Sequence, residues 1–242
     1  MQNNIQTCIT LLEHGSMRFN WEVENPNRIK FFENFLSPEK KVVPIQLLHS
    51  KIVLAVENEN DTKNMHADGI ITCNKNLVPV VTVADCMPIY LHDPKTGCFG
   101  VLHSGWKGTG IVVEALKLAK EKYGAEPSDF CVTIGPHIKS CCYKVDKERA
   151  DFFTTEIDSC CVEKIDDNTY FLSLEKANIF LLERIGVKKE NIKIMGSCTN
   201  CSKDKNGMPI YGSFRRETKD LPEDMPLPER LKNFTPMAAF II

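Results

Sequence analysis

The sequence has almost no net charge. Its 30 Lys and Arg stand against 32 Asp and Glu, a formal balance of −2 over 242 residues. A chain so balanced has no field for gathering nucleic acid or other polyanions in bulk. Nor does it hold an apolar run near the ~18 residues that a membrane helix needs; the run from Leu77 is cut at Asp85. The first ten residues combine neither a basic start nor an apolar stretch, so no export signal is read and a cytoplasmic protein is expected. Histidine is sparse, at six, with no His-x-His pair and no zincin motif. Any metal site must therefore be assembled from distant parts of the chain. Internal repeats, low-complexity segments and linkers before residue 217 are also missing. A chain of this length buries most of its apolar surface in one core, so one domain over residues 1–242 is expected.

Cysteine, in contrast, is abundant. Eleven is an odd number, and without an export signal such thiols read as reduced side chains, metal ligands or a nucleophile rather than a disulfide framework. Loose alternation over residues 45–56 predicts a strand carrying Gln46 and His49. Short β-branched runs at 70–73, 78–83 and 87–91 predict buried strands, as do 98–103, 130–134 and 191–195. Val112, Leu116, Ala119 and Tyr123 share one helical face that Gly124 ends; Leu174, Ala177, Leu181 and Ile185 share another, with Ser173 as N-cap and Gly186 as stop. Residues 219–236 read as an irregular arm and 237–242 as a closing strand. Strands and helices mix without strict alternation, which predicts an α+β, or mixed α/β, fold: a layered sandwich of mixed sheet with flanking helices.

Unusual residues concentrate in Ala84-Asp85-Cys86-Met87-Pro88 and in His103-Ser104-Gly105-Trp106-Lys107-Gly108. A strand–turn–strand path can bring Cys86 and His103 together. With His49 they form a two-histidine, one-cysteine set, the donor plan of catalytic zinc with an open fourth position. The same residues also read as a buried small cysteine and satisfied core histidines. The glycine-rich elbow at 105–110 leads into a helix, where backbone N–H groups and Lys107 suit an anion such as phosphate.

These motifs carry a resemblance. The order His49-Ser50, Ala67-Asp68-Gly69-Ile70-Ile71-Thr72, Val83-Ala84-Asp85-Cys86-Met87-Pro88, His103-Ser104-Gly105-Trp106-Lys107-Gly108, Ile134-Gly135-Pro136, Cys142-Tyr143-Lys144-Val145 and Ser213-Phe214-Arg215-Arg216 resembles the YfiH-type family. That family was once labelled multicopper polyphenol oxidase or laccase domain and is now associated with purine nucleoside enzymes. The resemblance spans roughly residues 45–216. It implies a YfiH-like layered α/β sandwich, akin to toxin deamidases that use a Cys–His pair. It implies that His49, Cys86 and His103 hold a catalytic zinc, preferred over copper. It further implies phosphorolysis of adenosine, inosine, guanosine and methylthioadenosine, and hydrolytic deamination of adenosine. Purine nucleosides and phosphate are the expected partners; Cys86, His103 and Asp85 are the candidate catalytic residues. Lys107, Arg215, Arg216 and Arg18 are the candidate phosphate clamps.

The chain departs from the family pattern in places. Gln46 lies three residues before His49 instead of two, Ser50 replaces a glycine, and Lys107 replaces an arginine, losing its two-pronged fork. The usual Thr-Arg-x-Gly-Gly is reduced to His14-Gly15-Ser16-Met17-Arg18. Asp85 reads either as a carboxylate orienting an imidazole or as a turn former, and His137 as an auxiliary acid or base. Cys198-x-x-Cys201 reads as half of a structural zinc site, but Cys141-Cys142 and Cys160-Cys161 lack matching spacing, so Cys198 is taken as the family's Cys-Thr. Three rival functions remain open. One is a metal-free cysteine hydrolase with Cys86 as nucleophile and His103 as base, in a role such as editing peptidoglycan precursors. Another is a binding module without catalysis. Copper oxidation of phenols needs an oxygen-reducing histidine cluster, which four remaining, unpaired histidines do not supply.

Overall fold

The computed structural model describes residues 5–242, so the first four residues of the stretch read for an export signal lie outside the described residues. In chain order the elements begin with β1 (Thr7–Ile9), α1 (Pro26–Phe35), β2 (Lys41–Pro44), β3 (Val53–Ala55) and β4 (Gly69–Thr72). Then come β5 (Leu77–Val83), β6 (Met87–His92), β7 (Phe99–Ser104), α2 (Ile111–Tyr123), β8 (Cys131–Ile134) and β9 (Lys144–Val145). The chain ends through α3 (Lys147–Glu156), β10 (Val162–Lys164), β11 (Tyr170–Leu172), α4 (Leu174–Ile185), β12 (Ile192–Ile194), α5 (Phe214–Glu217), α6 (Leu227–Arg230) and β13 (Met237–Ile241).

Two mixed sheets pack face to face. One has the order β1-β13-β5-β2, the other β12-β8-β6-β7-β4-β3. Their strands are apolar on both faces because each sheet is covered twice. In β5, Val81 and Val83 face the second sheet while Val78 and Val80 face α1; in β13, Met237, Ala239 and Ile241 alternate with Ala238 and Phe240 in the same way. In β6, Tyr90 points between the sheets, whereas Met87, Ile89 and Leu91 point to the layer of α2 and α4. The result is a helix–sheet–sheet–helix sandwich, with a small β10-β11-β9 sheet packed against α3. The layered fold expected from the pattern is the one observed.

The two long helices keep their expected ends: Gly124 and Gly186 take left-handed φ values of 66° and 104°, and the Ser173 hydroxyl accepts from the Lys176 N–H. Residues 45–56 do not form the continuous strand expected. β2 stops at Pro44 and β3 starts at Val53, with His49 at φ 59° on the loop between them. A left-handed residue breaks an extended ladder, and here two amides of that loop are held by Asp68 instead. The sequence reading also left α1 and α3 unassigned; Asn25 and Asp146 cap them through Arg28 N–H and Arg149 N–H.

Candidate metal centre

Strand register brings the three expected ligands together. β6 and β7 are antiparallel, with Met87 opposite Ser104 and Pro88 opposite His103. Cys86, one residue before β6, is thereby placed against the start of the elbow. β4 flanks β7 on its other side, and the His103 N–H donates to the Asp68 carbonyl at 2.7 Å. The donor atoms of His49, Cys86 and His103 all lie within 4.8 Å of one another. The two imidazole rings meet edge to face, with centroids 4.9 Å apart. His103 is buried, Cys86 is half-buried and His49 is exposed, so the centre opens to solvent on the His49 side.

Asp68, fully buried, ties this centre together. Its carboxylate accepts from the His49 N–H at 2.8 Å, the Ser50 N–H at 2.7 Å and the Ser50 hydroxyl at 2.7 Å, and meets His103 Nδ1 at 3.1 Å. Burial pushes its pKa up, but the bonds from His103 and Ser50 outweigh burial and hold it below the usual carboxylate range. Burial likewise opposes a charged His103, yet the Cys86 sulfur and Asp68 raise its pKa to about 10. The buried Asp68 carboxylate thus draws positive charge to this spot. At His49, burial and then the neighbouring His103 lower the pKa, favouring the neutral ring. Asp68 belongs to the Ala67-Asp68 motif, but the sequence reading gave it no role. Its value depends on the β4–β7 pairing, which spacing does not reveal.

The glycines of the elbow are required by close approach. A Cβ on Gly105 would stand 2.8 Å from Cys86 Sγ, and one on Gly108 would stand 2.9 Å from the Ser50 carbonyl oxygen. The elbow does not present the open helix start expected for an anion. Ile111 N–H donates to the Gly108 carbonyl and Val113 N–H to that of Gly110. Lys107 is exposed at the rim, its ammonium 5.4 Å from the centre of the Trp106 ring.

Other expectations are redirected. Asp85, at φ 80°, orients neither imidazole. Its carboxylate accepts from the Thr199 hydroxyl at 2.7 Å, the Ser213 hydroxyl at 3.0 Å and the Arg215 N–H at 2.7 Å, clamping two distant loops onto the turn that carries Cys86. Burial raises its pKa, and these donors offset only part of the rise. Arg216 is no free phosphate clamp, because its guanidinium donates to the Thr199, Asn200 and Tyr211 carbonyls. Arg18 is likewise committed, to the Leu231 and Phe234 carbonyls and the Phe234 ring. Arg215 donates to the Lys144 carbonyl at 2.9 Å and lies over Tyr143. Gln46 turns away, accepting from the Trp21 N–H. His137 is fully buried; its Nδ1 donates to the Gly135 carbonyl and its Nε2 lies 4.0 Å from Glu175. Arg149, which no motif singled out, stands 4.5 Å over the Trp106 ring and adds a cation beside the elbow.

Comparison with known proteins agrees with this architecture. The family model described as multi-copper polyphenol oxidoreductase laccase matches residues 21–220, and the chain belongs to that family. A protein of Clostridium acetobutylicum named purine nucleoside phosphorylase is 32% identical over 86% of this chain and 84% of its own. The mouse purine nucleoside phosphorylase LACC1 is 35% identical, but the match spans only 57% of this chain and 33% of that protein. The crystal structure of the Bacillus licheniformis protein YfiH superposes with a TM-score of 0.83 at 24% identity, covering 99% of this chain and 92% of that one, a likeness of fold. Among the described residues, no helix is long and apolar enough to cross a membrane.

Proposed function

We propose that this chain is a zinc-dependent purine nucleoside phosphorylase of the cytoplasm that also deaminates adenosine by hydrolysis. Adenosine, inosine, guanosine and methylthioadenosine are its proposed nucleosides, with phosphate as co-substrate. The observation that carries the reading is the convergence of His49, Cys86 and His103 around a carboxylate-braced spot. The names of the relatives supply the substrate class.

The residues fit zinc. Two imidazoles and one thiolate are borderline and soft donors, three in number, and the outer carboxylate on His103 Nδ1 leaves Nε2 for the metal side. Gly105 leaves the Cys86 sulfur unobstructed. Zinc held there supplies Lewis acidity at neutral pH. The chain's own groups do the rest. Asp68 fixes the His103 tautomer and the His49 loop in one geometry. Asp85 holds the turn behind Cys86. Lys107, Arg149 and Arg215 put positive charge at the rim for a phosphate, and Trp106 lends a half-buried ring beside them.

The test is incubation of the purified protein with a nucleoside panel, with and without phosphate, and chromatography of the products. Free base and ribose 1-phosphate are expected only with phosphate, and inosine from adenosine without it. No turnover of any nucleoside in zinc-replete protein would overturn the reading. One observation favours a second reading. Asp68, His103 and Cys86 follow one another as carboxylate, imidazole and thiol, the relay of a cysteine hydrolase. A hydrolase of that kind keeps its rate in His49→Ala, whereas a three-ligand centre loses metal and rate together.

A further inference from the structure

The fold gathers a second set of thiols that the centre above does not use. Cys141 and Cys142 lie on the turn before β9, and Cys198 and Cys201 on the turn after β12. A parallel bridge between His137 and Cys198 draws the two turns together, reinforced by Thr199 N–H donating to the His137 carbonyl at 3.0 Å. All four sulfurs lie within 4.8 Å of one another. Cys141 Sγ is 3.8 Å from that of Cys142 and 3.9 Å from that of Cys201. Zinc–sulfur bonds of about 2.3 Å place the sulfurs of a tetrahedron about 3.8 Å apart. A disulfide needs about 2.05 Å. The spacing is that of four ligands around one ion.

We propose that Cys141, Cys142, Cys198 and Cys201 form a closed tetrathiolate site for a structural zinc, separate from the His49–Cys86–His103 centre. Sequence spacing argued against the set, because adjacent cysteines do not make a knuckle; the turn at 139–143 nevertheless aims both sulfurs at one point. The Lys139 N–H donates to the Cys198 sulfur at 3.5 Å and holds that side chain in place. Four sulfurs so close ionise together only when a cation shares their charge. Soft thiolates in a tetrahedron select zinc over the hard cations. Cys141 and Cys201 are exposed and Cys142 is half-buried, so the ion has an entry path.

The site would staple the turn that carries Thr199, whose hydroxyl holds Asp85 beside Cys86. Zinc here acts on geometry and does not touch the reaction.

Elemental analysis of the full chain, purified in reductant without chelator, tests this. Two zinc ions per chain are expected, one lost in His49→Ala and the other in Cys201→Ser. X-ray absorption of the His49→Ala protein is expected to show four sulfur neighbours at about 2.3 Å. A single zinc in the wild-type protein after loading with excess zinc, kept in Cys201→Ser, would overturn the proposal. So would mixed nitrogen and sulfur neighbours in the His49→Ala protein, or a Cys141–Cys201 disulfide in peptide maps of freshly isolated chain. The two counts are independent, so failure here leaves the nucleoside reading standing, and the reverse also holds.

Discussion

Two cysteine-bearing clusters lie within one fold, and they are built in opposite ways. In the His49–Cys86–His103 set, His103 lies inside β7, Cys86 just before β6 and His49 on the loop between β2 and β3, and a buried carboxylate braces them. The Cys141–Cys142–Cys198–Cys201 set hangs on two turns, held by backbone amides and, at residues 199 and 200, by the Asp85 carboxylate and the Arg216 guanidinium. The first has three donors of two kinds and an exposed side; the second has four of one kind. A reactive site needs fixed ligands and one position to spare, whereas a staple needs every position filled. On the functions proposed for them, that contrast is the difference between holding a substrate and holding a loop.

The sharpest way to break the comparison is Cys86→Ala. It should abolish phosphorolysis and remove one zinc while leaving the tetrathiolate ion bound; paired metal and rate assays decide it, and the loss should exceed the roughly 100-fold that an outer partner costs. Next comes Asp68→Asn, which keeps the shape but weakens the brace on His103 and the His49 loop. A fall of about 10- to 100-fold in turnover or zinc affinity is expected, measured by competition with a chelator. Lys107→Ala should lower phosphorolysis by about tenfold and leave deamination of adenosine nearly unchanged, read as the ratio of adenine to inosine at fixed phosphate. An unchanged ratio would remove Lys107 from the phosphate site and turn attention to Arg149 and Arg215. The smallest effect belongs to the link between the clusters. Thr199→Val removes one of three donors to Asp85, about 1 kcal/mol or a fall of about 2–4 °C in Tm, with both zinc ions retained.

Much of this was legible in local pattern. The apolar runs of β4 to β7 and the capped helices α2 and α4 stand out because β-branched runs, turn residues and helix stops are signals carried by the segment itself. The convergence of His49, Cys86 and His103 was legible through motif likeness, since Cys86 and His103 are joined by one hairpin. What escaped depends on partners far along the chain. Asp68 gains its role only when β4 lies beside β7. Asp85 looks like an imidazole partner until the turn at 199 and the start of α5 arrive. Arg216 and Arg18 read as anion clamps until carbonyls of their own surroundings claim them. The four sulfurs escaped for a different reason: the spacing rule describes knuckles, and an adjacent pair on a tight turn follows other geometry. Residues 45–56 misled in the opposite direction, because alternation signals a strand but carries no mark of the left-handed residue at His49.

The strand order of the smaller sheet has a consequence for synthesis. β13 pairs with β1 on one side and with β5 on the other, at Thr7 to Ile241 and Val83 to Met237. On a ribosome that has made residues up to 236, β1 has no neighbour to join and one edge of β5 stays open to other chains. The longest loop in the molecule closes last, when the final strand slides between the two, and such non-local pairing is slow. A chain that stops at residue 236 therefore keeps β1 without its partner and leaves that edge of β5 exposed.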